Sequence, residues 1–158
     1  MRGAPRLAAV LCAAALAAAG CGYALSTRWT GRGGVERVEV AELENRSTEP
    51  GLGAALTGAL RSGFARRGAA GPGDARLTGE IRSGSPVPSS TDARSWRIAV
   101  EARVKLTRGA EVVAEQTFRR EADYVAGADA VEAEGRRALA LRRLADELAG
   151  EILAALER

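Results

Sequence analysis

Two residue types decide which covalent chemistry this chain could perform, and both are scarce. The sequence holds two cysteines, Cys12 and Cys21, and no histidine. Both cysteines belong to the N-terminal segment discussed next. Thiol nucleophiles, His-based triads and His or Cys metal sites are therefore excluded from the body of the chain. Carboxylates could still serve as general acid and base, but they lie scattered among arginines on faces that read as exposed. The "GRGG" at 31–34 lacks the spacing and the closing Lys-Ser/Thr of a phosphate-binding loop. No catalytic residue, cofactor or metal is expected, and the chain does not read as an enzyme.

Cys21 has a different chemistry open to it. Arg2 and Arg6 give a positive start, and residues 7–19, "LAAVLCAAALAAA", carry no charge. That run matches a signal-peptide apolar region and falls short of the roughly 20 residues a membrane-spanning helix needs. Ala18, Ala19 and Gly20 lead into Cys21. The arrangement resembles a bacterial lipoprotein signal, in which residues 1–20 are removed and the new N-terminal cysteine is acylated. The alternative is an ordinary secretory signal cleaved nearby, with Cys21 a spare thiol. Gly22 follows the cysteine, not Asp, which under the enteric rule sends a lipoprotein to the outer membrane. Each buried methylene contributes about 0.8 kcal/mol, so several acyl chains together anchor stably. The protein is expected to sit on a membrane through its N-terminal lipid without spanning it.

Cys12 leaves with the signal, so no disulfide is expected to staple the mature domain. Losing Arg2 and Arg6 takes the formal charge of +3 down by two, to +1. The basic pI of 9.4 is then no argument for nucleic acid, and no nucleic-acid partner is expected.

The elements that follow read in order. Residues 21–34 form a lipidated N-terminus and Gly-rich tether, and 35–158 a single domain. "VERVEVAEL" at 35–43 suits a strand. "ENRSTEPGL" turns the chain, with Ser47 or Thr48 available as a helix cap and Pro50 in the first turn. Leu52, Leu56, Leu60 and Phe64 then make one apolar stripe, and Gly68 is a stop signal. "ARLTGEIRSG" alternates, a Pro/Ser-rich loop fills 83–94, and Trp96, Ile98, Val100, Ala102, Val104 and Leu106 alternate with polar residues in the clearest strand. A hairpin turn through Arg108-Gly109 leads into "EVVAEQTFRREADYV" as the returning strand. A long amphipathic helix closes the chain after Gly127, with Ala138, Leu141, Leu144, Ala145, Leu148, Ile152 and Leu156 on its stripe. Two helices with single stripes cover one side of a sheet. The expected fold is α+β, a two-layer sandwich with a four-stranded mixed sheet and two helices on one face.

The order of these segments resembles the LPS-assembly lipoprotein family LptE (RlpB). "CGYAL" at the acylation site, "VERVEVAEL", "ENRSTEPGLGAALTGALRSGFARRG" with its Asn45, and the closing "EAEGRRALALRRLADELAGEIL" carry the likeness. The resemblance implies a small lipidated partner that plugs the outer-membrane barrel LptD and assists lipopolysaccharide transport, assembly and insertion. It implies lipopolysaccharide and an LptD-like β-barrel as partners, and the outer membrane as location. Lipid A carries phosphates, and arginine pairs with phosphate in two-pronged fashion. Arg82, Arg94 and Arg97 near the 83–94 loop, with Arg103 and Lys105 along the open sheet face, are the candidate contacts to lipopolysaccharide or the barrel wall. The plainer reading of those residues is a solvated polar face. The alternative function is an outer-membrane-anchored lipoprotein that regulates a periplasmic enzyme such as a peptidoglycan synthase.

Overall fold

The structure, a computed structural model, describes residues 29–89, 91 and 94–157. The expected signal peptide, Cys21 and most of the expected tether lie outside the described residues. The strand with the cleanest alternation is the spine of the sheet: β5 runs from Ser95 to Arg108, antiparallel to β3 (Ala75–Ser83) and to β6 (Glu111–Val125). β6 occupies one edge of β5 along its whole length, so β3 and the short β4 (Val87–Pro88) must share the other. β1 (Val38–Val40) and β2 (Glu44–Asn45) both pair in parallel with β3. Six segments therefore fill four lanes, with β1 and β2 as one interrupted outer lane and β6 as the other. The four-stranded mixed sheet is present, with two of its lanes broken in two.

The 83–94 segment is correspondingly not all loop. Val87 and Pro88 pair with Arg97 and Trp96, where an edge position tolerates a proline without a backbone donor. The hairpin turn also sits one residue later than the sequence suggests. Arg108 pairs with Glu111, so Gly109-Ala110 is the two-residue loop, and Gly109 takes the positive φ of 55° that such turns require. The register shifts between Leu106 and Thr107, leaving Val113 as the extra residue on β6.

Helix α1 covers Leu52–Arg66 and α2 covers Ala130–Leu156. Neither Ser47 nor Thr48 caps α1. Gly51 holds that position with φ of 80° and no side-chain cap, while the Ser47 hydroxyl accepts from the Glu49 N–H at 3.1 Å. At the other end Gly68 takes φ of 68°, and Ala69 N–H returns to Phe64 O at 2.9 Å, closing the helix as expected. The start of α2 is a variant of the capping box, with the returning bond made to the residue before the N-cap. Asp129 accepts from Glu132 N–H at 2.8 Å, and the Glu132 carboxylate accepts from Ala128 N–H at 2.7 Å.

Both helices lie on one face and run in the same direction. Their stripes (Leu52, Leu56, Leu60 and Phe64; Leu144, Leu148, Ile152 and Leu156) are buried against Leu77, Ile81, Ile98, Val100, Ala102, Val104 and Leu106. A buried side chain of this size stabilises by about 1.5–3 kcal/mol. Burial on α2 begins only at Ala140. Ala138 is exposed and Leu141 half-buried, so the first half of that helix projects from the core.

The segment before Val35 differs most from expectation. Trp29 is 2% exposed, and its ring meets Phe64 edge-on at 5.2 Å. Gly31 bridges Glu157, and Arg32, in a short 3-10 turn over Arg32–Gly34, donates to Ala155 O at 2.9 Å. Residues 29–34 are thus part of the folded domain. A large aromatic among polar and Gly neighbours gave no periodic signal by which to place it.

The two helices pack tightly at Gly63, where an added Cβ would stand 2.2 Å from Leu153 Cδ1. Gly58, on the same helix, has nothing within 4 Å. Gly63→Ala is therefore expected to destabilise the domain by about 1–3 kcal/mol through overpacking. Gly58→Ala should stabilise it by about 0.5–1 kcal/mol through helix propensity. Urea unfolding of the two variants checks this, and equal midpoints would contradict the packing described.

Candidate interaction surface

The sheet face away from the helices is built by the partner set of the same alternation. β3 contributes Arg76, Thr78, Glu80 and Arg82, and β5 contributes Arg97, Ala99, Glu101, Arg103, Lys105 and Thr107. β6 contributes Glu115, Thr117, Arg119, Glu121 and Asp123 opposite them. Ion pairs knit this face. Arg82 meets Glu80 at 2.9 Å, Arg119 meets Glu121 at 3.0 Å, and Arg103 Nε donates to Glu115 at 2.9 Å. Arg46 joins the network from the outer lane, at 2.9 Å from Glu44 and 3.1 Å from Glu80. The face is thus a lattice of alternating charge.

The five candidate cations do not form one cluster. Arg82, Arg94 and Arg97 lie at the end of the sheet next to the 84–94 segment. Arg103 and Lys105 sit further along β5, with Arg103 about 20 Å from Arg97 at the usual rise of a strand. Between the groups a shallow depression of about 260 Å³ is lined by Arg82, Ser83, Gly84, Ala99, Glu101 and Arg119. The small side chain of Ala99 makes the dip, and two guanidinium groups and one carboxylate rim it.

Arg97 is committed to Asp123. Its Nε and Nη2 reach the two carboxylate oxygens at 3.0 and 3.2 Å, a two-pronged pair across β5 and β6. The hydrogen bond to Arg97 holds the Asp123 carboxyl below its ordinary value, with Ser89 as a further donor, and the same bond raises Arg97. Ser89 N–H also donates to Ser95 O at 2.8 Å, and Ala126 N–H to Arg94 O at 2.7 Å. The 84–94 segment is thus fastened at its base to the start of β5 and the end of β6. Asp123, Glu115, Arg119 and Glu121 escaped the sequence reading. The hairpin register would have revealed them once the turn was placed on Gly109-Ala110.

A second set lies at the same end, behind the sheet. Glu49 is 2% exposed and forms an ion pair with Arg137 of α2. The pair raises Arg137 above its ordinary value, and burial raises the nearby Tyr124 phenol. The loop that carries Glu49 is internally knit. Asn45 Nδ2 donates to Glu49 O at 2.9 Å, and Ser47 Oγ donates to Asn45 Oδ1 at 2.6 Å. An added Cβ on Gly53 would come within 2.9 Å of Asn45 Cβ, so the loop lies directly on the first turn of α1. Asn45, which the sequence marked for its family likeness, and Ser47, which it offered as a helix cap, therefore shape this end of the domain by knitting the loop.

The outer edge of β1 is closed. Val38 bridges Ala70 of the connection after α1, and Arg61 places Nε and Nη2 at 3.1 and 3.0 Å from Val40 O. Among the described residues, no group of His, Cys, Asp and Glu could hold a metal, and no helix is long and apolar enough to cross a membrane.

This arrangement has known counterparts. The family model described as LptE, lipopolysaccharide-assembly, matches residues 35–156. The chain belongs to the LptE family. Among solved structures, a lipoprotein from Caulobacter crescentus is similar at 17% identity and a TM-score of 0.58, over 73% of this chain and 87% of that one. The rare lipoprotein B of Shewanella oneidensis is similar at 12% identity and a TM-score of 0.52, over 73% and 92%. The PelC dodecamer of Paraburkholderia phytofirmans is similar at 16% identity and a TM-score of 0.50, over 77% and 89%. At such identities the likeness is one of fold alone. No curated protein matches the chain. In this LptE-family domain the region outside the match includes Trp29, so the matched span does not contain the whole packed unit.

Two expectations follow from the site. Arg137→Ala leaves the buried Glu49 carboxylate without its partner and should cost about 3–5 kcal/mol in denaturant unfolding, with Arg137→Lys recovering part of it. A loss below 1 kcal/mol would mean the pair is dispensable. Asp123 is ionised and paired above its ordinary pKa of 3.8, so its hold on Arg97 is present there and lost as the pH falls through the lowered value. Asp123→Asn should accordingly expose the 84–94 segment to limited proteolysis at neutral pH. A cleavage rate equal to that of the parent would contradict the fastening role.

Proposed function

We propose that this LptE-family chain is an outer-membrane lipoprotein, anchored by acyl chains on Cys21, that seats in an LptD-like β-barrel as its plug. In that position it assists the transport and insertion of lipopolysaccharide. The family match over 35–156 carries the reading. The form of the domain supports it. One face is a sealed core, and the other is a rigid polar sheet in which opposite charges alternate. The lumen of a large barrel is polar and wet, so a face of this kind needs no apolar patch to sit there.

Two of the exposed pairs are also exchangeable. Ion pairs in water contribute little to folding, so Arg82 or Arg103 could leave a carboxylate for a barrel residue or a lipid A phosphate at small cost, while Arg97 would offer only the part of its guanidinium not held by Asp123. Arg82, Arg94 and Arg97, grouped beside the fastened 84–94 segment, are the proposed contacts to lipopolysaccharide or the barrel wall. Arg103 and Lys105 extend that contact along the sheet. The role is binding and assembly, without a covalent step.

The test is co-purification of the tagged, acylated protein from detergent-solubilised outer membrane, with mass identification of what comes with it. A β-barrel of much larger mass is expected. Recovery of a periplasmic synthase in its place would overturn the plug reading in favour of a regulatory lipoprotein. Alanine at Arg82, Arg94 and Arg97 together should weaken lipopolysaccharide binding several-fold, and unchanged binding would remove those residues from the site.

A further inference from the structure

The two outer lanes of the sheet end differently. On β1, Val38 N–H donates to Ala69 O at 2.8 Å, and the carbonyls of Val38 and Val40 accept from Gly71 and Arg61. On the other side β6, 15 residues long, has no strand beyond it among the described residues. We propose that the free edge of β6 over residues 115–123 is a docking site for an extended segment of another protein. The segment adds to the sheet as a further strand, with cations on the open face and apolar side chains on the helix face. This goes beyond the barrel reading and does not rest on it. A closed barrel has no strand edge to give, so the segment comes from a terminus, a loop or a soluble domain.

The phase of the ladder shows which backbone groups are open. Ala126 N–H donates to Arg94 O, so the even-numbered residues of β6 turn their N–H and C=O toward β5. Gly84 N–H donates to Ala99 O, which gives the same phase from the other side, the odd residues of β5 serving β3. Residues 115, 117, 119, 121 and 123 of β6 therefore point their N–H and C=O outward, and all five are exposed. The 3-10 turn at Arg32–Gly34 approaches only the start of the strand, at Val113. A row of unpaired backbone groups on an edge of this length is a template for another strand.

The side chains say what kind of strand fits. Ile98, Val100 and Ala102 of β5 are 0% exposed, whereas Phe118, Ala122 and Tyr124 beside them on β6 are only half-buried and Arg120 is exposed. The helix layer thus stops short of this lane, and an added strand with apolar residues would cover the open sides of Phe118 and Tyr124. On the other face the β6 row reads Glu115, Thr117, Arg119, Glu121 and Asp123, three carboxylates to one guanidinium. Arg97 and Arg103 reach Asp123 and Glu115 from the β5 side, which leaves the outer side of the row to the newcomer. Opposite charges are the favourable cross-strand neighbours. The incoming segment therefore carries Lys or Arg opposite Glu121 and Asp123 and an acid opposite Arg119. A second copy of this chain fits less well, because two β6 rows would bring a surplus of carboxylates together.

The test uses the acylated full-length protein in detergent micelles and a short peptide, acetylated and amidated, reading Lys-Val-Lys-Val-Glu-Val-Thr. Antiparallel to β6, its lysines fall opposite Asp123 and Glu121 and its glutamate opposite Arg119. Amide exchange is followed residue by residue by NMR. Millimolar peptide is expected to slow exchange several-fold at positions 117, 119, 121 and 123 and to leave 118, 120 and 122 unchanged. Glu121→Pro removes one outward N–H, which an edge strand tolerates, and should abolish the effect. Glu121→Gln keeps the backbone donor and should only weaken it. No slowing at the odd positions would overturn the proposal, as would a Glu121→Pro variant that unfolds in urea like the parent and still binds as the parent does. Protection of the same amides that rises with protein concentration without peptide would overturn it in favour of pairing between copies. Should Glu121→Pro not fold, the exchange pattern of the parent decides by itself. Failure of a barrel to co-purify counts against the functional reading and leaves this measurement untouched.

Discussion

A sheet covered on one side only has to build two unlike surfaces from the same strands. That constraint governs this domain. The alternation along β5 sends Ile98, Val100, Ala102, Val104 and Leu106 into the core and Arg97, Glu101, Arg103 and Lys105 out of it. A slip of one residue would exchange the two sets. The bulge at Val113, the turn at Gly109 and the ion pairs across β5 and β6 all hold the register on which that separation depends. The core then needs only two helices, and their close approach at Gly63 draws both stripes down on the apolar side.

The sequence disclosed the parts of the fold that repeat. A strand with period two and helices with a single stripe are visible because many residues agree, so β3, β5, β6 and both helices were legible almost to their ends. Features set by one residue in three-dimensional context were not. Trp29 packs on Phe64 from a stretch with no period. Val87 and Pro88 are a strand only because Trp96 and Arg97 lie beside them. The first lane breaks in two because Leu43 turns inward, its N–H taken by Thr57 Oγ1 at 3.1 Å. None of these leaves a pattern in the linear chain.

The same distinction holds for the interaction surface. Arg82, Arg97, Arg103 and Lys105 could be assigned to the open face from alternation alone. Their partners could not, because Asp123 and Glu115 come opposite them only through the hairpin. What read as a cation-rich face holding Glu80 and Glu101 gains three further carboxylates, Glu115, Glu121 and Asp123, from β6. The buried Glu49–Arg137 contact joins residues 88 positions apart and had no local signal at all. Closure of the β1 edge by Arg61 is likewise a long-range event, and it removes a strand edge that would otherwise invite pairing with other chains.

The shared direction of the two helices has one more consequence. Each aligned run of peptide units acts as roughly half a positive charge at its start and half a negative charge at its finish. In antiparallel pairs these fields cancel. Here they add, giving the molecule an electric long axis whose positive pole coincides with Arg82, Arg97 and Arg137. A near-neutral protein can in this way still present opposite electrostatic characters to whatever approaches from its two tips.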